Sequence, residues 1–335
     1  MIFLRKIASC CTLLVSFCVL LLLSFPVLAS VVIDGSATVY PITEALVEAY
    51  QDSSDRAANQ RIVISISGTG GGFQRFCRGE LDIVDASRPI LKSEMLLCSK
   101  NGVSYVELPV AYDAVAIIVN PKNSFVRSVS VLELRKIWGV SSDSKVIFWN
   151  QVNKAYPRFS LTLYGPGPGS GTFDYFTSLI NGKTGLVRSD FHASQSDDVL
   201  VHAVSHDPYG MAYFGYAYYA SNNGILRIVP VDKGDGPVLP SIKTISNGDY
   251  LLARPLFVYV SLKSTYKLDV ASLMRYYLSN ASRFAKDSGY FPLPRDVYEA
   301  VLARLDARIL GTMYGGELAS STNLKRFLST TLHKK

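Results

Sequence analysis

The chain is poor in the residue types that bind metals or form catalytic thiolates. It has 4 His and 5 Cys among 335 residues, and only Cys77 and Cys98 lie beyond residue 29. These cysteines do not form a CxxC motif. His202 and His206 have i,i+4 spacing, but no Glu follows His202 as the zinc-protease pattern requires. We therefore expect no metal site, no catalytic cysteine and no cofactor.

Signatures of nucleotide and nucleic-acid binding are also missing. The glycine-rich residues 68–72 continue with Phe73 and not with the Lys and Ser or Thr of a GxxxxGK[ST] motif. The formal net charge is +7, but the basic residues are scattered and form no run. Ser170 lies between glycines, yet Pro168 stands where a G-x-S-x-G hydrolase turn has its first glycine. The sequence predicts neither an enzyme nor a nucleic-acid-binding protein.

An apolar segment near the N-terminus is typical of an export signal. Two basic residues precede the almost entirely apolar residues 7–25, and Val27 and Ala29 match the small-residue rule for cleavage. We expect residues 1–29 to be a signal peptide; a retained membrane anchor is the alternative. Residues 7–10 resemble a lipoprotein box but precede the apolar run, so we expect no lipid anchor.

The next residues predict a parallel α/β structure. Residues 31–33 and 62–66 are short β-branched runs of the kind found in buried parallel strands, and residues 41–51 between them have helical apolar spacing. This βαβ pattern predicts a mostly parallel sheet with helices on both faces.

Two long extended segments predict a division into two lobes. About 300 residues remain after cleavage, which is too many for one compact core. Residues 106–121 and 254–260 are the candidate connections between lobes. We therefore expect lobe I to comprise residues 30–112 and 254–335, and lobe II residues 113–253.

The two remaining cysteines predict a covalent link within lobe I. In an exported chain Cys77 and Cys98 favour one disulfide, which would join the helix after the glycine-rich segment to the helix near Met95. Two buried free thiols are the alternative.

Three segments rich in glycine and hydroxyl residues carry the main functional signal. They are residues 34–38, 67–72 and 165–172, and helices are predicted to begin after them, near Pro41, Gly72 and Thr172. Glycine allows tight turns, helix starts present unpaired N–H groups, and Ser and Thr add hydroxyl donors. Three such segments in one chain indicate a tetrahedral oxyanion held by neutral donors.

The order of these motifs resembles that of a known family. The chain is similar to the phosphate-binding proteins of bacterial ABC phosphate importers, of the PstS and SphX type, over essentially all of its mature length. The matching segments are Ile33-Asp-Gly-Ser-Ala-Thr-Val-Tyr-Pro-Ile42, Ile66-Ser-Gly-Thr-Gly-Gly-Gly-Phe73, Asp85-Ala-Ser-Arg-Pro-Ile90, Leu108-Pro-Val-Ala-Tyr-Asp113, Leu163-Tyr-Gly-Pro-Gly167 and Ser170-Gly-Thr-Phe-Asp-Tyr-Phe176.

The resemblance implies the two-lobe periplasmic-binding-protein fold, type II-like, with phosphate buried between the lobes. It also implies a monomer in the periplasm that delivers phosphate to an ABC permease in the inner membrane. The phosphate-binding residues that it implies are Ser36, Thr38 and the amide of Val39, Thr69 through its hydroxyl and amide, and Ser170, Gly171 and Thr172.

Two departures from the family pattern concern charge. Ser87 stands where well-studied members have an Asp that accepts the phosphate proton, and Pro166 stands where they have an Arg. We expect Arg88 to supply the positive charge and Ser87 a hydroxyl; a salt-bridge role for Arg88 is the alternative. Asp85 and Asp113 are the candidate proton acceptors.

These departures leave other functions open. A carboxylate acceptor rejects sulfate, which has no proton to donate, so its absence admits a binder of another oxyanion. A phosphate sensor or scavenger that feeds no transporter is a further alternative.

Overall fold

The computed structural model describes residues 31–168, 170–316 and Leu324; the predicted signal peptide lies outside them. The strands are β1 (Val31–Gly35), β2 (Ile62–Ser65), β3 (Ile83–Ala86), β4 (Tyr105–Val119), β5 (Val129–Ser130), β6 (Thr162–Pro166), β7 (His192–Ser194), β8 (Gly210–Gly215), β9 (Arg227–Ile228), β10 (Val231–Asp232), β11 (Pro237–Val238) and β12 (Ala253–Ser261).

The α-helices lie between the strands and after the last of them. They are α1 (Tyr40–Gln51), α2 (Asp55–Ala58), α3 (Gly68–Cys77), α4 (Lys92–Lys100), α5 (Val131–Trp138), α6 (Trp149–Val152), α7 (Gly171–Asn181), α8 (Asp197–His206), α9 (Tyr216–Ser221), α10 (Ile242–Ser246), α11 (Leu268–Asp287) and α12 (Arg295–Asp306), with short 3₁₀ turns at Val140–Ser142 and Ser264–Tyr266.

A mixed sheet runs through the molecule in the order β2-β1-β3-β12-β4-β8-β6-β7, and β9 also pairs with β4. As predicted from their β-branched runs, β1 and β2 are parallel neighbours, and β3 is parallel to β1 on its other side. A small second sheet has the order β11-β10-β5. The predicted α/β class is confirmed.

Strand β4 joins the two parts of the sheet. Its residues up to Ala114 pair with β12, whereas those from Val115 onward pair with β8. Strand β12 is antiparallel to both β3 and β4, so β1 and β3 run in the direction of β4. Strand β8 is antiparallel to β4 and β6 is parallel to β8, so β6 runs the opposite way. The carboxyl ends of β1, β3 and β6 therefore face one gap.

The helices that follow these strands differ in detail from the prediction. Helix α3 begins at Gly68 and not near Gly72, so Thr69 lies in its first turn. Gly72 lies inside this helix, where a Cβ atom would be 2.7 Å from Val84 Cγ2 and 2.8 Å from Gly35 Cα. Gly72 thus serves the close approach of a helix to the sheet, not a loop conformation.

Helix α11 covers the sheet beside α1. Its buried residues recur at helical spacing along its length: Val270, Leu273, Met274, Tyr277, Leu278, Ala281, Phe284 and Ala285. Of the helices in residues 31–168 and 170–316, none combines the length and apolar character needed to cross a bilayer.

Cys77 and Cys98 form the predicted disulfide. It joins the last residue of α3 to α4, and both cysteines are buried. The bridge closes a sequence separation of 21 residues. It links the helix that carries Thr69 to the helix that carries Glu94, a residue of the site described below.

Removing this bridge should destabilise the fold. A loop of this size contributes about 3 kcal/mol by limiting the unfolded chain. The double variant Cys77→Ala/Cys98→Ala should lose about that much free energy of unfolding, measured by urea denaturation under oxidising conditions. The wild type unfolded with a reductant is the matched comparison. Equal midpoints for variant and oxidised wild type would contradict the expectation.

Asp85 carries a buried carboxyl group on the opposite side of β3 from α3. Burial raises its pKa from 3.8 to about 7; the hydrogen bond with Thr43 acts against this rise and the charge of Asp34 adds to it. One carboxyl oxygen has no hydrogen-bond partner among the described residues, and Tyr277 bonds to Thr43 beside it. This carboxyl faces α1 and α11, away from the gap where the strands end.

The raised pKa predicts a pH-dependent stability. Between about pH 4 and pH 7 the unfolded chain has released the Asp85 proton while the folded chain keeps it, so stability should fall as pH rises through that window. Asp85→Asn should remove this slope, by at most about 4 kcal/mol across the window. Urea titrations at several pH values measure it. Asp235→Asn, at a side chain 83% exposed, is the control; an unchanged slope in Asp85→Asn would contradict the assignment.

Candidate functional site

The turn after β1 orients hydroxyl groups through its own backbone. Ser36 Oγ accepts a hydrogen bond from the Thr38 amide at 3.1 Å, so the Ser36 hydroxyl proton remains available to donate elsewhere. The Val39 amide, predicted to bind phosphate, donates to the Ser36 carbonyl at 3.1 Å. Val39 is fully buried. In this structure the turn offers hydroxyl donors from Ser36 and Thr38 more readily than the Val39 amide.

Asp34 braces this turn against the start of α3. Its carboxylate accepts hydrogen bonds from the Gly35 amide at 2.7 Å, from the Ser67 amide and hydroxyl at 2.9 Å each, and from Arg75. Burial raises the pKa of Asp34, but the hydrogen bonds from Ser67 and Arg75 outweigh burial, and the pKa lies below its usual value. Asp34 therefore remains an anion that holds two donor-bearing segments together.

Thr69 and Ser87 lie side by side at the ends of their segments. Their hydroxyl oxygens are 3.1 Å apart, and Thr69 Oγ1 also accepts from the Ser87 amide at 3.1 Å. When one hydroxyl donates to the other, the second keeps its proton for a further acceptor. The Thr69 amide is in the first turn of α3, where intrahelical acceptors are missing. The pair thus presents a hydroxyl and an amide donor.

The third predicted segment forms the start of α7. Ser170 is the N-cap residue, and its Oγ accepts from the Thr172 amide at 3.2 Å. The Ser170 hydroxyl proton is therefore available to donate to another acceptor. The Gly171 amide lies in the first turn of α7, where amides have no intrahelical acceptor. The positive end of the helix dipole adds to this potential for anions.

Gly171 brings the donors from both sides of the gap together. A Cβ atom placed on Gly171 would lie 3.1 Å from Thr38 Oγ1 and 3.5 Å from Ser87 Oγ. The same point is 3.5 Å from Nη2 of Arg254, a residue that the sequence analysis did not identify as part of the site. The structure thus assembles the predicted Thr38, Ser87 and Gly171 around one small volume.

Arg88 is engaged by a carboxylate. Its Nη1 and Nη2 donate to the two carboxylate oxygens of Glu94 at 2.9 Å and 2.8 Å, and Nη1 also donates to the Pro89 carbonyl at 3.1 Å. Glu94 additionally accepts from the Leu91 amide at 2.8 Å, which caps α4. This ion pair corresponds to the salt-bridge alternative for Arg88.

Arg254 forms a second, more deeply buried ion pair with Asp113. Nε and Nη2 donate to Asp113 Oδ2 at 3.2 Å and 3.0 Å, and each side chain is 5% exposed. Arg254 Nη1 donates to the Gly171 carbonyl at 2.9 Å. Asp113, one of the candidate proton acceptors, is thus occupied by a cation, and Asp85 faces the other side of the sheet. The sequence signal was present: both residues lie at predicted lobe connections.

The described part of the chain contains no group of three or more His, Cys, Asp or Glu side chains that could hold a metal ion. The chemistry at the gap is that of hydroxyl, amide and guanidinium donors. Such an arrangement binds an anion by hydrogen bonds and electrostatics without a covalent step.

Comparison with known proteins places this geometry in a family. A sequence model of the PBP superfamily domain matches residues 24–281. SphX of Synechocystis sp. is 45% identical over 290 residues, which cover 86% of this chain and 85% of that protein. The phosphate-binding protein PstS of Staphylococcus epidermidis is 35% identical over 273 residues, 80% of either chain.

Solved structures agree in fold. A possible phosphate binding protein from Planctomyces limnophilus superposes with a TM-score of 0.70 at 37% identity, covering 83% of this chain and 97% of that one. An ABC-type phosphate transport receptor from Vibrio cholerae has a TM-score of 0.65 at 20% identity over 79% and 100% of the two chains, a likeness of fold alone. The chain therefore belongs to the PBP superfamily, in the family of the SphX and PstS phosphate-binding proteins.

Proposed function

We propose that the protein binds inorganic phosphate in the gap between its lobes and delivers it to an ABC-type import permease. The observation that carries this proposal is that Thr38 Oγ1 and Ser87 Oγ lie 3.1 Å and 3.5 Å from the position of a Cβ atom on Gly171, the first residue of α7. Thr69, Ser170 and Thr172 add donors at its edge. As a member of a family of binding proteins, the chain is not an enzyme.

Closure of two lobes would bury the anion. The proposed lobe boundaries, 112/113 and 253/254, lie close to where β4 passes from β12 to β8, between Ala114 and Val115, and to the start of β12 at Ala253. Rotation about these two connections would bring α7 toward the turns after β1 and β3. Water is then excluded, and neutral dipoles act at a lower effective dielectric constant.

The cellular part of the proposal follows from the N-terminal segment and the family. Signal cleavage after Ala29 would release a monomeric protein without a lipid anchor into the periplasm, and its partners would be phosphate and the permease rather than nucleic acid. Mass spectrometry of the exported protein should find Ser30 as the first residue. A mature chain that retains residues 1–29, or one that carries a lipid, would contradict this part.

Binding is tested by calorimetric titration of phosphate into the phosphate-stripped protein. We expect saturable 1:1 binding. Gly171→Ala should weaken it roughly 10-fold or more, because the new methyl group would lie among the donors and displace ligand contacts that contribute about 1.5–3 kcal/mol each. Gly224→Ala is the matched control, since a Cβ atom there meets nothing within 4 Å. Absence of phosphate binding by the wild type would refute the proposal.

A repeat with excess sulfate separates the alternatives. Phosphate binding that persists in sulfate identifies a phosphate receptor. Displacement by sulfate favours a broader oxyanion binder, because hydroxyl and guanidinium donors do not require a proton on the ligand. Copurification of a permease with the receptor distinguishes an import component from a sensor or scavenger.

A further inference from the structure

Arg254 is placed at the joint between the lobes. It is the second residue of β12 and lies directly opposite Asp113 of β4 in the antiparallel register. Its guanidinium is close to the ring of Tyr175 in α7, with 5.0 Å between Cζ and the ring centre. Tyr175 in turn donates its hydroxyl to the Ala253 carbonyl at 2.6 Å. Arg254 is thus held by both connecting strands and by the helix of lobe II.

The hydrogen bonds of Arg254 leave part of its guanidinium unused. A guanidinium has five N–H groups. The bonds of Nε and Nη2 to Asp113 and of Nη1 to the Gly171 carbonyl use three of them. One N–H group remains on each terminal nitrogen, and Nη2 is 3.5 Å from the point where Thr38 and Ser87 also converge.

The two arginines near the gap differ in how their charge is compensated. Both terminal nitrogens of Arg88 are bonded to separate oxygens of Glu94, a fork-to-fork pair that uses the recognition edge of the guanidinium. Both bonds from Arg254 to Asp113 go to the single atom Oδ2, through Nε and Nη2. Asp113 therefore leaves the edge between Nη1 and Nη2 of Arg254 unoccupied; on this edge Nη1 donates to the Gly171 carbonyl and Nη2 is 3.5 Å from the Cβ position of Gly171.

We propose that Arg254, and not Arg88, is the cationic residue that contacts the bound oxyanion, and that Asp113 is its positioning residue. This inference rests on the proposed function. Taking a buried ion pair out of water is unfavourable unless its remaining protons find acceptors. A phosphate oxygen beside Gly171, within reach of Arg254 Nη2 and the Thr38 and Ser87 hydroxyls, would supply such an acceptor. Because Arg254 also binds the Gly171 carbonyl, the same side chain joins the ligand to the closing helix.

Substitutions of both arginines test the assignment by phosphate titration. Arg254→Gln should raise the Kd for phosphate roughly 10- to 100-fold, the effect of losing a hydrogen bond to a charged group. Arg254→Lys, which keeps the charge but not the fork, should give a smaller rise. Arg275→Gln, at an exposed arginine paired with Asp306, is the matched control and should bind as the wild type does.

The positioning role of Asp113 is tested by a double-mutant cycle. Asp113→Asn should raise the Kd on its own, whereas the double variant Arg254→Gln/Asp113→Asn should bind no more weakly than Arg254→Gln. A purely structural role would add its cost in both backgrounds. Thermal melting will show whether Arg254→Gln folds, since this variant leaves the buried Asp113 carboxylate without its cation. The double variant removes that carboxylate and serves as the test if the single variant does not fold.

The outcomes separate this inference from the proposed function. A wild type that binds neither phosphate nor sulfate overturns both. A wild type that binds phosphate, together with folded Arg254 variants of unchanged Kd, overturns the inference alone. The same holds if Arg88→Gln loses phosphate affinity while the Arg254 variants keep it. Loss in the Arg254 variants with an unchanged control supports it.

Discussion

The opposed direction of the parallel strands on either side of β4 is the constraint on which the site depends. Strands β1 and β3 connect to the first half of β4 through β12, and β6 connects to the second half of β4 through β8. The carboxyl ends of β1, β3 and β6 therefore meet in the same region. Each of these strands is followed by a turn or a helix start. Unpaired first-turn amides and hydroxyl side chains from both lobes therefore face one gap. A site of this kind needs two sets of strands that point at each other, which an all-parallel sheet does not supply.

Arginine–carboxylate pairs support each donor-bearing segment from behind. Arg75 pairs with Asp34, Arg88 with Glu94, and Arg254 with Asp113. Asp34 and Glu94 also accept hydrogen bonds from backbone amides, and Asp113 is buried, so protein groups compensate the charge of each carboxylate. These three carboxylates are occupied by their arginine partners, so the ligand would meet donors on the segments that they support. A site of the proposed kind would bind anions with little net charge of its own, since dipoles and one guanidinium would suffice.

The local elements were predictable because each depends on neighbours in the sequence. The β-branched runs of β1 and β2 and the pair Cys77 and Cys98 predicted the observed strands and disulfide. The start of α3 was not predictable, since glycines normally indicate a loop. At Gly72 the decisive factor is the distance to Val84 and Gly35, which only the assembled sheet determines.

The role of each arginine depends on longer-range geometry. Arg88 is followed six residues later by Glu94, and whether that carboxylate turns back toward Arg88 depends on the cap of α4, which the same Glu94 forms. Local motifs cannot distinguish this arrangement from an arginine that faces a ligand. The family pattern offers no substitute, because Pro166 stands where the family's Arg would be.

The contact of Arg254 with Asp113, 141 residues away in the chain, depends on the register between β12 and β4. Strands β4 and β12 are irregular between Leu256 and Phe257: Leu256 lies opposite Ala111 and Phe257 opposite Pro109, so Val110 is skipped. The Tyr298 hydroxyl donates to the Val110 carbonyl at 2.7 Å. Without this bulge the register would shift by one residue and Tyr112 would lie opposite Arg254. One extra residue in β4 therefore decides that the buried Arg254 guanidinium lies opposite the Asp113 carboxylate.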